Sequence, residues 1–351
     1  MKIMRKSYLL SILVFWFTFC AHVGAAEELP AVVINDLNKK GLPLEEPLFG
    51  KPKDCPYEPT RVVKMVEEIL KNRIVHVNYD RVQIFKQLLD HIQNKKKNLL
   101  ENVRLFNPSI SVDPYRGSAC VGMTLDLLKH LPLELNGYVV AAKLPNKFQQ
   151  DFFPEYCHTA ILIQCIHDRG KSFVLLDPAF DIVNPIVLEP NSNPIFVDMN
   201  EKGIWSFELI EESEKSFIKC FTNLNEKENP DLCMIYRTDR LLNPVPASAV
   251  PMCLGDRKPS LLSRDSRGHH IVHLNLDFNN QRILISRYND REPPVSFDDF
   301  MSENNFFTED FAKFLGFSSE ELNSYLKSVI EKVDIINELY SEYKKYINNM
   351  K

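Results

Sequence analysis

The sequence predicts an α+β fold, and changes in hydrophobic pattern along the chain carry that prediction. Between Pro59 and Leu131 apolar residues recur every three or four positions, as on helix faces. After Asn136 and Gly137 they form short runs separated by turn residues, as in strands. Near the carboxyl end a helical period returns. We therefore expect a helical first part, a strand-rich middle and a mixed sheet-and-helix end.

Length and charge place the chain among globular proteins with more than one domain. It has 351 residues, of which 44% are hydrophobic, and its formal net charge is −5. At ~100–200 residues per domain, this length allows two or three packed units. The negative charge argues against nucleic acid or an anionic membrane surface as a partner.

Residues 1–25 have the layout of a secretory signal peptide. Lys2, Arg5 and Lys6 precede an apolar run, and the small residues at 23–26 provide a cleavage site. The run is too short to span a bilayer comfortably, although an uncleaved anchor is the alternative. We expect a secreted or periplasmic (extracytoplasmic) protein with no stable membrane insertion after cleavage.

The cysteine content fits such a compartment. Eight cysteines are present, and Cys20 falls in the predicted signal peptide, which leaves an odd number. Oxidising compartments favour disulfides, and an odd number leaves at least one thiol free. No C-x-x-C pair occurs, and "HHIVH" at 269–273 alternates like a strand and lacks the glutamate of a zinc helix. No metal site is predicted.

Changes in composition give the expected domain boundaries. The proline-rich residues 26–57 predict an irregular arm, and 58–137 a helical domain that contains Cys120. Residues 138–240 contain a series of short strand patterns, which predict an antiparallel barrel or sandwich. A last domain, 241–351, combines a predicted hairpin through Asn279 and Asn280 with a long amphipathic helix.

That last helix is predicted to begin at a capping box and to bury a heptad-like seam. Ser318 and Glu321 fit the box. The seam consists of Leu322, Leu326, Val329, Val333, Ile336, Tyr340, Tyr343 and Ile347. The run is only about three heptads long, so packing on the protein's own body is favoured over a homodimer through this helix.

Three predicted element ends carry the parts of a nucleophilic site. "RGSAC" places Cys120 at the start of a helix, where unpaired amides and the helix dipole favour a thiolate. His158 opens one predicted strand, and Asp177 ends the next. If these strands are antiparallel neighbours, the imidazole and the carboxylate lie at one end of the sheet. A thiol, a base and a carboxylate that fixes the base's tautomer make a Cys-His-Asp triad.

The motifs around these residues resemble the arylamine N-acetyltransferases. That family carries R-G-G-x-C-x-E-x-N, then a histidine that opens a strand, then D-V-G-F. Here "RGSACVGMT" at 116–124 is followed by His158 and by "DPAF" from Asp177, at spacings close to the family's. "LLENV" at 99–103 resembles the family's "PFENL". The resemblance covers roughly residues 60 to 330, within the broader transglutaminase-like, papain-related superfamily of thiol enzymes.

The chain departs from the family pattern at several positions. Ser118 replaces the second glycine, and Gly122 and Thr124 replace the glutamate and asparagine after the cysteine. Proline and alanine stand where the aspartate motif has V-G. Arg116 and Gly117 match the family and are expected to be structural, shaping the loop before the helix.

The resemblance implies a helical domain with the nucleophile, a central β-barrel and a lid-like carboxyl-terminal domain. It also implies an acyltransferase in which Cys120, His158 and Asp177 are catalytic and Phe180 contacts substrate. The implied partners are a small-molecule acyl donor, such as acyl-CoA or another thioester, and an amine acceptor, with no bound cofactor.

Three other functions stay open. The same triad with water as the acceptor gives an exported amidase or peptidase, and with a protein lysine it gives a transglutaminase. Export favours these, because acetyl-CoA is a cytoplasmic donor. The altered motif positions leave a third possibility, a non-catalytic binding protein on this fold.

Overall fold

The computed structural model describes residues 53–93, 120–143, 158–167, 170–180, 182–198, 203–212, 215–222, 231–238, 258–288, 290–304 and 306–350. The predicted signal peptide and most of the predicted arm lie outside these ranges, as do Arg116 and Gly117.

The helices and strands follow the order that the hydrophobic pattern predicts. The helices are α1 (Pro59–His76), α2 (Val82–Gln93), α3 (Cys120–His130), α4 (Phe297–Ser302), α5 (Glu309–Phe314), α6 (Ser319–Ile330) and α7 (Val333–Met350). The strands are β1 (Tyr79–Asp80), β2 (Tyr138–Lys143), β3 (His158–His167), β4 (Gly170–Leu176), β5 (Ile186–Leu188), β6 (Ile195–Asp198), β7 (Ile204–Glu212), β8 (Lys215–Thr222), β9 (Asp231–Arg237), β10 (Ser260–Arg264), β11 (His270–Asp277), β12 (Arg282–Arg287), β13 (Asp290–Arg291) and β14 (Val295–Ser296).

The strands form two antiparallel sheets. In the described part of the chain, the large sheet has the order β5-β4-β3-β2-β9-β8-β7-β6. The small sheet has the order β1-β10-β11-β12-β13, and β14 also pairs with β12. The mixed α+β prediction is confirmed, and so is the hairpin through Asn279 and Asn280, which joins β11 to β12.

Strand β3 lies inside the large sheet, between β4 and β2, and is buried on both faces. Ala160 and Leu162 belong to one hydrophobic core, whereas Ile161 and Ile163 belong to another on the opposite face. Helices α1 and α3 cover the second face. A strand covered on both sides needs apolar residues at every position, which explains the unbroken run "AILI".

The large sheet is not closed into a barrel within the described residues. Its terminal strands β5 and β6 are consecutive in the chain, but neither hydrogen-bonds to the other. They are only three and four residues long. Pro185, Pro190 and Pro194 flank them, and proline has no backbone N–H to donate to a ladder. The predicted central barrel is therefore not confirmed.

A separate helical domain is not confirmed either. Helix α2 packs into the core of the small sheet together with α4–α7, whereas α1 and α3 pack on the large sheet. Between α1 and α2 the chain adds β1 to the small sheet, where Tyr79 pairs with Leu262. Two or three short helices bury little apolar surface by themselves, so each instead covers a sheet.

The predicted last helix is interrupted at Glu331 and Lys332, which separate α6 from α7. Its capping box is confirmed, because the Ser318 hydroxyl and the Glu321 side chain bond each other's backbone amides. The seam residues Leu322, Leu326, Val329 and Ile336 are buried in the core of the small sheet. The side chains of Tyr340, Tyr343 and Ile347 lie outside the described part. Among the described helices, none has the length and hydropathy of a transmembrane span.

Candidate active site

The structure places Cys120 where the sequence predicts it, at the first residue of α3. The side chain is buried, with 3% of its surface exposed. Four residues later, Thr124 Oγ1 donates to the Thr159 carbonyl at 3.0 Å, and the Thr159 hydroxyl donates back to Thr124 Oγ1 at 3.2 Å. Because Thr159 follows His158, this pair of hydrogen bonds joins the first turn of α3 to the start of β3.

His158 and Asp177 meet at one end of the β3–β4 hairpin. Ile161 pairs with Leu176, so Asp177 comes level with Ala160, two residues from His158. The two side chains therefore share a face of the sheet. His158 Nε2 donates to Asp177 Oδ2 at 2.7 Å.

Asp177 is fully buried, and its carboxylate accepts further hydrogen bonds. The Phe180 amide donates to Oδ1 at 3.2 Å, and the Tyr236 hydroxyl donates to Oδ2 at 2.9 Å. A buried carboxylate needs such donors, because each lone pair it leaves unpaired costs free energy. Burial raises the pKa of Tyr236, and the charge of Asp177 raises it further. The phenol therefore stays protonated and remains a donor.

The charge balance of the site depends on Asp177. Burial by itself lowers the pKa of His158, because it disfavours the charged ring. The charge of Asp177 and its hydrogen bond reverse this, helped by the Cys120 thiol, and raise the pKa of His158 to about 10. The ring is therefore positively charged at neutral pH when it lies between the carboxylate and the sulfur.

The Cys120 thiol hydrogen-bonds to the His158 ring. Since Nε2 of that ring donates to Asp177, Nδ1 is the nitrogen left for the sulfur. The three groups thus form a continuous chain from sulfur through imidazole to carboxylate. Such a chain can move a proton off the thiol and hold the resulting ion pair.

Aromatic rings surround the histidine. The Phe180 ring centroid lies 4.4 Å from that of His158, and the Trp205 centroid lies 5.3 Å from that of Phe180. Phe180 thus lies beside His158, and its contact with substrate stays a prediction. These rings keep water from the imidazole, which strengthens the pairing with Asp177.

Sequence reasoning missed Tyr236 and Arg264. Arg264 lies on β10 of the small sheet and is 1% exposed. Its Nη1 donates to the Pro178 carbonyl at 2.8 Å, and its Nη2 contacts Met123 Sδ at 3.4 Å. Arg264 thus ties the small sheet to the turn after Asp177 and to α3. The sequence contains one indication of a buried arginine, because Arg264 ends the strand-like run "SLLSR".

The histidine-rich stretch on β11 does not form a ligand cluster in the described ranges. His269 pairs with Asp265 Oδ2 at 3.3 Å, and His273 Nε2 lies 3.1 Å from the Asn275 amide nitrogen. Among the described side chains, no group of three or more histidines, cysteines or acids could hold a metal ion.

Comparison with known proteins finds similarity only at the level of structure. No protein-family model matches the sequence. No curated protein matches it significantly. The structure of an arylamine N-acetyltransferase from Mycobacterium abscessus is similar, with 10% identity, 86% of this chain and 94% of that chain covered, and a TM-score of 0.46. The structure of an arylamine N-acetyltransferase from Nocardia farcinica is also similar, with 10% identity, 76% of this chain and 89% of that chain covered, and a TM-score of 0.43.

Proposed function

We propose that this protein is a thiol acyltransferase, in which Cys120 carries the acyl group between a donor and an amine. One observation carries the proposal: the His158 ring is held at Nε2 by the buried Asp177 at 2.7 Å and hydrogen-bonds to the Cys120 thiol. The sequence resemblance to arylamine N-acetyltransferases supports the same assignment.

In the first half-reaction Cys120 attacks the carbonyl carbon of a thioester or another activated acyl donor. Nδ1 of His158 holds the thiol proton, and Asp177 stabilises the imidazolium through Nε2. The tetrahedral intermediate collapses, and the leaving thiol takes the proton from Nδ1. The acyl group then forms a thioester with Cys120.

In the second half-reaction an amine attacks the acyl-cysteine. His158 accepts the amine proton, and the Cys120 thiolate leaves, which regenerates the ion pair and releases an amide. The burial of Cys120 and His158 supports transfer over hydrolysis, because a dry site slows attack by water.

Intact-mass measurement tests the proposal. Wild type, Cys120→Ala and the matched control Cys165→Ala are incubated with acetyl-CoA or p-nitrophenyl acetate. Cys165 is also a buried thiol but lies in a different core from Cys120. We expect one acetyl adduct on wild type and on Cys165→Ala, none on Cys120→Ala, and loss of the adduct when an aromatic amine is added.

Other outcomes contradict the proposal in distinct ways. An adduct that decays equally fast with and without amine indicates the amidase or peptidase alternative. Resolution only by a protein lysine indicates a transglutaminase. If neither donor acylates Cys120, the acyltransferase proposal fails and the non-catalytic binding protein is favoured.

A further inference from the structure

Four buried cysteines form two pairs away from the Cys120 thiol. Cys55 and Cys165 are 1% and 0% exposed, and Cys220 and Cys233 are 0% and 4% exposed. In each pair the two thiols hydrogen-bond to each other. All four are reduced in the structure. Both pairs therefore bring two sulfur atoms together where water is excluded.

The first pair joins the start of the described chain to the large sheet. Cys55 forms a parallel bridge with Cys165, and its amide donates to the Gln164 carbonyl at 2.7 Å. Neighbouring bridged chains lie about 4.8 Å apart, which falls within the Cα separation that disulfides require. The alignment is held from both sides, because the Asn136 amide donates to the Asp54 carbonyl at 2.8 Å and the Gln164 amide donates to the Asp54 carboxylate.

The second pair is brought together by a break in register between β8 and β9. Cys220 pairs with Met234 and Phe221 with Leu232, so Cys233 is the extra residue of a bulge. In a bulge, two residues of one strand oppose a single residue of its partner. Cys233 and Met234 both lie in the same core as Cys220. The bulge thus turns the Cys233 thiol toward Cys220.

We propose that the native protein carries two disulfides, Cys55–Cys165 and Cys220–Cys233, and keeps Cys120 as a free thiol. The oxidant is a small-molecule or protein disulfide, such as glutathione disulfide. One cysteine thiolate attacks it, forming a mixed disulfide and releasing one thiol. The thiolate of the second cysteine in the pair then attacks the protein sulfur of this mixed disulfide. The protein disulfide forms, and the remaining half of the oxidant leaves as a second thiol. For each disulfide that forms in the protein, one molecule of the oxidant is reduced to two thiols.

The bonds close during folding. Burial raises the pKa of the Cys55 thiol, raises that of Cys165 to about 12 and raises that of Cys220 well above its ordinary value. Thiolates are therefore scarce at these positions once the cores have formed. The same burial then shields the finished disulfides from reduction.

Thiol mapping tests the assignment. The chain is refolded with reduced and oxidised glutathione, and a second sample is isolated from a host that exports it. Free thiols of both are blocked with N-ethylmaleimide in denaturant, and the protein is digested without reduction. Trypsin separates Cys55, Cys120, Cys220 and Cys233 onto different peptides but leaves Cys157 and Cys165 together. Cys157→Ser is therefore the matched control.

We expect the Cys55 peptide to be joined to the Cys165 peptide, both in wild type and in Cys157→Ser. We also expect the Cys220 peptide to be joined to the Cys233 peptide, and Cys120 to carry maleimide. Maleimide on a member of either pair in both samples would overturn the assignment of that pair. A crosslink from a pair to Cys120, to another pair or to another cysteine would also overturn it. Cys120→Ala should keep both crosslinks, so this result does not depend on the proposed acyl transfer.

A stability measurement gives a second, independent readout. The first disulfide closes a long loop, and a disulfide of this kind raises Tm by about 6 °C in a chain of this size. Protein that is reduced in denaturant and refolded in reductant should therefore melt at least that much lower than the oxidised protein, and the difference should be much smaller in the double variant Cys55→Ser/Cys165→Ser. An equal Tm with and without reductant contradicts the proposal.

Discussion

Replacing Asp177 with Asn tests the electrostatic core of the site. Asp177 Oδ2 lies 2.7 Å from His158 Nε2 in a fully buried setting. With an effective dielectric constant of ~20, the attraction of two unit charges at this distance is about 6 kcal/mol, or about 4.5 pKa units. Burial opposes this attraction, and the balance agrees with the pKa of about 10 for His158. In Asp177→Asn the two contributions of Asp177 are lost, and only burial, which lowers the pKa of His158, and the Cys120 thiol, which raises it, remain, so that pKa falls from about 10.

The amide also disturbs the tautomer. Oδ1 accepts from the Phe180 amide, whereas Oδ2 accepts from His158 and Tyr236. If the new NH₂ replaces Oδ1, it faces the backbone N–H of Phe180, which is also a donor. If it replaces Oδ2, Nε2 must become an acceptor, and the ring proton moves to Nδ1, on the side of Cys120. Either orientation costs a hydrogen bond, and the second removes the lone pair that accepts the thiol proton.

The assay is single-turnover acylation of Cys120 by p-nitrophenyl acetate. We expect a loss of about 10⁴-fold, as for the corresponding change in a serine protease triad. The control is Asp265→Asn, which alters an Asp–His pair at the surface, where Asp265 Oδ2 lies 3.3 Å from His269 Nδ1. That variant should acylate at the wild-type rate. An Asp177→Asn protein that stays within tenfold of wild type refutes the reasoning.

The same pair should make stability fall with pH. The pKa of His158 is about 10 in the folded protein against 6.5 ordinarily, so the folded state holds the proton more tightly. The stabilisation is fully present below pH 6.5 and is lost as pH rises to about 10. It amounts to at most about 5 kcal/mol. Urea unfolding between these limits should show the slope in wild type and not in Asp177→Asn. An equal slope in both would contradict the assignment.

Three further substitutions probe the surroundings of the site. Tyr236→Phe removes one donor to Asp177 and should slow acylation about tenfold with little change in fold, which a circular dichroism spectrum checks. Thr124→Val breaks both hydrogen bonds to Thr159 and should lower the free energy of unfolding in urea by about 1–3 kcal/mol. The double variant Thr124→Val/Thr159→Val should recover part of that loss. An unchanged free energy of unfolding in the single variant would contradict the pairing. Arg264→Lys keeps the charge but loses the planar fork, so we expect a lower urea midpoint and slower acylation, whereas an unchanged midpoint would show that the fork is dispensable.

The parts of the site that follow from local pattern could be predicted from the sequence. Small residues before Cys120 and an apolar stripe after it mark the start of α3, and the β3–β4 hairpin brings His158 and Asp177 to one end of the sheet. Partners that are distant along the chain could not be predicted. Tyr236 is 59 residues from Asp177, and Arg264 is 86 residues from the carbonyl that it binds. Their positions depend on the strand order of the large sheet and on how the small sheet docks, which hydrophobic periodicity does not encode.

The way His158 is held also explains why α3 begins where it does. In serine protease triads the carboxylate binds Nδ1 and the nucleophile meets Nε2. Here Asp177 takes Nε2, which leaves Nδ1 for the thiol. Nδ1 lies next to the carbon that joins the ring to the backbone, so the sulfur must approach close to the main chain of β3. That approach requires the first turn of α3 to pack on the first residues of β3. The Thr124–Thr159 hydrogen bonds fix this contact. Thr124 stands where the arylamine N-acetyltransferases, which the motifs resemble, have asparagine. This departure therefore falls at a position that ties α3 to β3, and it leaves the chain of sulfur, imidazole and carboxylate intact.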